Sequence, residues 1–124
     1  MASKQELFEE ILNKMNEVGN FNAAVLSVKD GLPLASSRLL YKKDDIAAAM
    51  VTLLNDAAHK INRELNLAQM DEISIVGDDR TRLVCRYFSV DGSDLLLTVV
   101  TPPDRAYRRL TNQTIKEITR VWLS

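Results

Sequence analysis

The chain has 124 residues, 46% of them apolar and 27% charged, which excludes both a disordered tail and a membrane-embedded bundle. Its 16 basic and 17 acidic side chains give a formal charge of −1, so nothing draws the whole molecule to nucleic acid or to an anionic membrane. One cysteine, Cys85, cannot form an internal disulfide. Together with an N-terminal stretch that mixes Lys4 with Glu6, Glu9 and Glu10, this predicts a reducing, cytoplasmic setting and no secretory signal. The length suits a single domain over residues 1–124. There is no repeat, low-complexity stretch or linker to divide it.

Ser3-Lys4-Gln5-Glu6 has the form of a capping box. Leu7, Phe8, Ile11, Leu12, Met15 and Val18 follow at helical spacing, and Gly19 is expected to close the helix in the left-handed conformation. Asn22 to Lys29 reads as a first strand. Asp30-Gly31 marks a tight hairpin, and Leu32 to Ser37 returns as a second strand that Pro33 confines to an edge. Asp44-Asp45 supplies an N-cap for a second helix over Ile46 to Leu65. Glu72 to Val76 and Thr81 to Val90 are the third and fourth strands, and Asp91-Gly92 is a second hairpin signal. Leu95 to Thr101 is the fifth strand. Pro102-Pro103 stops it, and Asp104 is placed to cap a third helix ending near Leu123.

The order is α-β-β-α-β-β-β-α, an α+β class. The fifth strand, Leu95 to Val100, is apolar on both faces, and the first is nearly so. Strands buried on both sides are central, so helices are expected on both faces of a five-stranded antiparallel sheet.

The second helix carries an apolar arc of roughly 160°. Ile46, Met50, Leu53, Leu54, Ala57 and Ile61 would cover the sheet, and Ala47, Val51, Ala58 and Leu65 widen the stripe to one flank. Two of these flanking residues are alanines, which let another backbone approach. The flank is read as packing on a symmetry mate, since two-fold dimers are the commonest homo-oligomers. A helix sunk deep in its own core is the other reading. The expected dimer interface is Ala47, Met50, Val51, Leu54, Ala58, Ile61 and Leu65, with Ile73 and Ile75 of the third strand.

The stretch from Ala23 to Ser36, with its apolar strand, Asp30-Gly31 and Leu32-Pro33-Leu34-Ala35, resembles the signature hairpin of the dynein light chain roadblock family. The alanine-rich Ile46-Ala47-Ala48-Ala49-Met50, Glu72-Ile73 and Leu83-Val84 fall where that family places its second helix and next two strands. The resemblance implies a profilin-like roadblock domain that forms homodimers or pairs with a paralogue. It implies that third strands pair across the dimer and second helices pack side by side. It further implies a non-enzymatic regulator or scaffold of Ras-like small GTPases, with no catalytic residues and no cofactor.

The chemistry-bearing residues agree with that expectation. His59, the only histidine, falls on the polar face of the second helix and is expected in solvent. Cys85 is expected to be a buried small hydrophobe. Asp44-Asp45, Asp71-Glu72 and Asp78-Asp79 lack the spacing of a calcium loop, and the four glycines form no phosphate-cradling motif. Arg105, Arg109, Lys116 and Arg120 share one side of the third helix, away from Tyr107, Leu110, Thr114, Ile118 and Val121. They form either a solvated face or a docking strip for an acidic partner, of which an arginine finger is the sharpest version. Trp122 is expected to anchor the C-terminus on the domain. The competing functional reading is a PAS-, GAF- or profilin-like sensor of a small molecule, which would need an internal cavity above about 300 Å³.

Overall fold

The computed structural model describes residues 2–29, 32–37, 56–66 and 70–124. The first helix, α1, spans Lys4–Gly19. Ser3 caps it as expected, its Oγ accepting from the Glu6 N–H at 3.2 Å. The far end differs from expectation. Asn20, at φ 55°, is the left-handed residue, and Gly19 is still helical. Gly19 is there for clearance instead, since a Cβ would stand 2.7 Å from Leu110 Cδ2 and from the Phe21 ring.

Five strands follow: β1 Ala23–Val28, β2 Pro33–Ser36, β3 Glu72–Val76, β4 Arg82–Val90 and β5 Ser93–Thr101. Between β2 and β3, residues 56–65 form a helix, α2. The chain closes on α3, Arg108–Leu123. All strand pairs are antiparallel, in the order β2-β1-β5-β4-β3. The doubly apolar β5 is the middle strand with β1 beside it, and the Pro33 strand is an edge, as the sequence predicts. The Asp30-Gly31 turn and the Asp44-Asp45 cap lie outside the described residues, as do Ala47, Met50, Val51 and Leu54.

The Asp91-Gly92 turn joins β4 to β5 with both residues at positive φ, 51° and 81°. A two-residue loop of this handedness matches strand twist. Nothing lies within 4 Å of a Cβ built on Gly92, so only backbone strain resists a side chain there. Gly92→Val is expected to cost about 1–2 kcal/mol in urea unfolding, and Gly92→Asn clearly less. Equal losses would mean that the strain is not of this origin.

The sheet's two faces are finished differently. On one, α1 and α3 cover Ala24, Leu26, Leu95, Leu97 and Val99, with Phe8, Leu12, Met15 and Ile118 fully or nearly fully buried between them. Trp122 stacks on Phe8 at 6.2 Å between ring centroids and so anchors the last helix to the first. On the second face, Cys85 and Leu96 form a smaller buried cluster with Ile73 and Tyr87, and α2 approaches here through His59. Helices therefore lie on both faces.

The third helix starts later than expected. Its N-cap is Tyr107, which offers no side-chain cap, and Asp104 instead takes a left-handed turn conformation at φ 60°. Residues 105–107 stay non-helical, and Tyr107 is held by its hydroxyl hydrogen bond to Glu72 at 2.7 Å.

Candidate interaction surfaces

Over its described residues, α2 shows a rotation different from the one periodicity suggests. Ala57 is exposed and Ile61 is 56% exposed, so neither covers the sheet. Ala58, His59 and Asn62 are the half-buried positions. His59 meets Tyr87 edge to face at 6.2 Å, and its Nε2 is buried with no hydrogen-bond partner among the described residues. The expectation of a solvated histidine is thus corrected. The wide aliphatic arc makes Ile61 look like the sheet-facing residue, whereas the aromatic Tyr87 on the sheet takes up a flat imidazole.

The Tyr87 hydroxyl is also buried, with no hydrogen-bond partner among the described residues, and burial pushes its phenol well above the usual range. Tyr87→Phe is expected to stabilise the fold by about 1 kcal/mol, because an unsatisfied buried hydroxyl is removed without loss of volume. A loss of stability of that size would show that the hydroxyl is bonded in solution. Cys85, beside it, is buried, with its Sγ 3.6 Å from Thr98 Oγ1. Burial pushes its thiol up as well, consistent with a small hydrophobe rather than a nucleophile.

Exposed apolar side chains occur on both α2, at Ile61 and Leu65, and β3, at Ile75 and Val76. Leu65 is 63% exposed and Ile75 46%, and Val76, on the opposite face of the sheet from Ile75, is similarly open. Ile73 is half-buried against the Cys85 cluster. Ile73, Ile75 and Val76 belong to β3, which has a neighbour only on its β4 side among the described strands. Such an apolar edge is the kind that natural proteins ordinarily protect or pair.

Behind β3 lies a charged cluster that the sequence does not disclose. Arg86 of β4 is only 4% exposed. It donates to Thr111 Oγ1 at 2.6 Å and Asn112 Oδ1 at 2.7 Å on α3, and stands 3.6 Å from Asp71 and 3.7 Å from Glu72. Arg108 donates to both acids at 2.9 Å. The Arg108 hydrogen bond holds the Asp71 carboxyl below its usual range. Burial alone would raise Glu72, but hydrogen bonds from Tyr107, Arg108 and Ser74 outweigh it and leave that carboxyl lowered too. The cluster pins β3 to α3 and so fixes the direction of the apolar edge.

Arg109, Lys116 and Arg120 are exposed at helical spacing on α3, whereas Arg105 precedes the helix. Arg105 and Arg109 are exposed and line a groove at the start of α3, whereas Lys116 and Arg120 lie farther along the helix, outside it. Among the described residues no cluster of His, Cys, Asp and Glu has the makings of a metal site, and no helix is long and apolar enough to cross a membrane.

Solved structures share this architecture. The gliding protein MglB of Thermus thermophilus superposes with a TM-score of 0.79 at 18% identity, covering 98% of this chain and 92% of its own. MglB of Myxococcus xanthus gives 0.80 at 12% identity, with 94% and 95% covered. A Roadblock/LC7 domain from Streptomyces avermitilis gives 0.76 at 16% identity, with 93% and 94% covered. At these identities the likeness is one of fold. No curated protein matches the sequence. The sequence profile of the Roadblock/LC7 domain matches residues 7–101, and the chain belongs to that family.

Proposed function

We propose that this chain is a non-enzymatic, cytoplasmic regulator or adaptor that works as a homodimer and binds a Ras-like small GTPase on the surface the dimer creates. The observation that carries the reading is the set of exposed apolar side chains Ile61 and Leu65 on α2 and Ile75 on the edge strand β3. A second copy of the chain would cover these side chains together with Ala58 on α2 and Ile73 on β3, and Ala47, Met50, Val51 and Leu54, which lie outside the described residues, are proposed to join the same interface. Membership of the Roadblock/LC7 family and the fold shared with MglB proteins support the same reading. A solved MglB has a tetrameric arrangement, so self-assembly is compatible with this fold.

The mechanism follows from the shape of such a surface. A rigid platform acts by differential affinity. If it binds the GTP-loaded conformation more tightly, it shifts the switch loops toward that state and positions the GTPase's own catalytic groups. No residue of this chain then needs to enter the GTPase site. Among the described residues, the cavity beside His59, Met70, Tyr87 and Leu96 has a volume of about 80 Å³, which offers the small-molecule alternative little support there. That is too small for most metabolites.

Affinity capture from the source cell, with the immobilised protein and either a GTP analogue or GDP, tests the reading. A small GTPase retained preferentially in its GTP form is the expected result. The Leu65→Glu/Ile75→Glu variant should lose it. Capture of no GTPase in either nucleotide state, or equal capture by the folded variant, overturns the reading.

A further inference from the structure

The groove at the start of α3 includes Val76 of β3 but neither Ile73 nor Ile75, which face the other side of the sheet. It has a volume of about 650 Å³ and is lined by Arg80, Arg82, Arg105, Arg108 and Arg109 against one acid, Asp104. Five arginines from a chain of net charge −1 meet in one depression. Two of them are already engaged. Arg108 holds Asp71 and Glu72, and Arg82 lies over the Tyr107 ring at 5.4 Å. Arg80, Arg105 and Arg109 are exposed and have no ion pair with a described residue. The nearby Asp79 does not neutralise Arg80, because its carboxylate turns back onto the Thr81 N–H and hydroxyl at 2.9 and 3.0 Å. The first turn of α3 contains no acid either.

We infer that this groove is a second docking surface, which takes an extended acidic peptide segment of a partner protein. Three features choose that occupant. Lysine is absent from the lining, and arginine's planar fork suits carboxylates held in a fixed orientation. The three free arginines come from three different places: the β3–β4 turn, the loop after β5 and the first turn of α3. A partner reaching all of them must carry several charges along its length, which a single phosphate does not. Between them, Val76, Pro102 and Tyr107 supply apolar and aromatic surface for the intervening side chains. The groove lies toward the α3 side of β3, whereas Ile73 and Ile75 point to the α2 side. Both surfaces can therefore be occupied together, as an adaptor requires.

Fluorescence anisotropy with a labelled short peptide alternating glutamate and leucine tests this on the full chain at low salt. Wild type is expected to bind with saturation. The Arg80→Ser/Arg105→Ser/Arg109→Ser variant should bind at least about tenfold more weakly. Lysine at the same three positions should recover part of the loss. Lys116→Ser/Arg120→Ser, which lies outside the groove, should stay within about twofold of wild type. Amide chemical shifts of the wild-type protein should move at residues 80, 105 and 109 on titration with the peptide, which keeps the test open should the triple variant fold poorly. Absence of peptide binding, equal weakening in both sets of variants, or shifts elsewhere would overturn the inference. So would inorganic triphosphate or anionic phospholipid vesicles engaging these arginines while the peptide does not.

Discussion

Arg86→Ala is expected to destabilise the fold by about 3 kcal/mol, read as a fall in thermal midpoint of roughly 10 °C. The guanidinium is almost fully buried, and its hydrogen bonds to Thr111 and Asn112 end on α3. Removing it leaves a void against Thr111 and takes a positive charge from the half-buried Glu72. Arg86→Met refills much of the volume and should recover part of the loss, because a well-packed apolar side chain can replace a buried ionic group at low cost. An unchanged midpoint for the alanine variant would show that β3 is held to α3 by other means.

Acidity probes the same cluster from its exposed side. The folded state holds the Asp71 and Glu72 carboxyls below their unfolded values, chiefly through Arg108 for the former and against a burial penalty for the latter. Their contribution is therefore present above the unfolded carboxylate range and is lost as pH falls through the lowered folded values. Arg108→Ala should be less stable than wild type at neutral pH, and the difference should shrink below about pH 4. A difference that persists undiminished into acid would rule out this linkage.

The second large effect is on self-association. Leu65→Glu/Ile75→Glu is expected to weaken the proposed dimer at least about a hundredfold, giving a monomer by light scattering at tens of micromolar. Both residues are open in the single chain, so the protomer should lose little stability. At an interface each new carboxylate would be desolvated without a partner. A dimer that survives the pair would place the interface elsewhere.

Much of the architecture is legible because it rests on period and punctuation. The unbroken apolar β5 announces a central strand, Pro33 an edge, and Asp91-Gly92 a tight hairpin. What is not legible depends on pairing register. Arg86 occupies an inward position of β4, in alternation with Val84 and Phe88, and only its pairing opposite Glu72 reveals why a charge is tolerated there. The arginine groove is joined in the same way: Arg82 pairs with Thr101, which brings the β3–β4 turn beside the start of α3. Periodicity misplaces His59 and Ile61 because a helix with apolar residues over a wide arc does not say which part of the arc meets the sheet.

The place of β5 at the centre of the sheet also sets the order in which the sheet can be completed. The β3–β4–β5 meander is built from neighbouring segments and closes through short turns. The pairing of β1 with β5 joins Ala23 to Val100 and Val28 to Leu95, across most of the chain. Loop-closure entropy favours forming the meander before that long-range pair. On a ribosome, β1 and β2 emerge first and wait with one apolar edge unmatched until the last strand has been made. That interval, rather than the finished molecule, is when the apolar β1 is most open to pairing with another nascent chain.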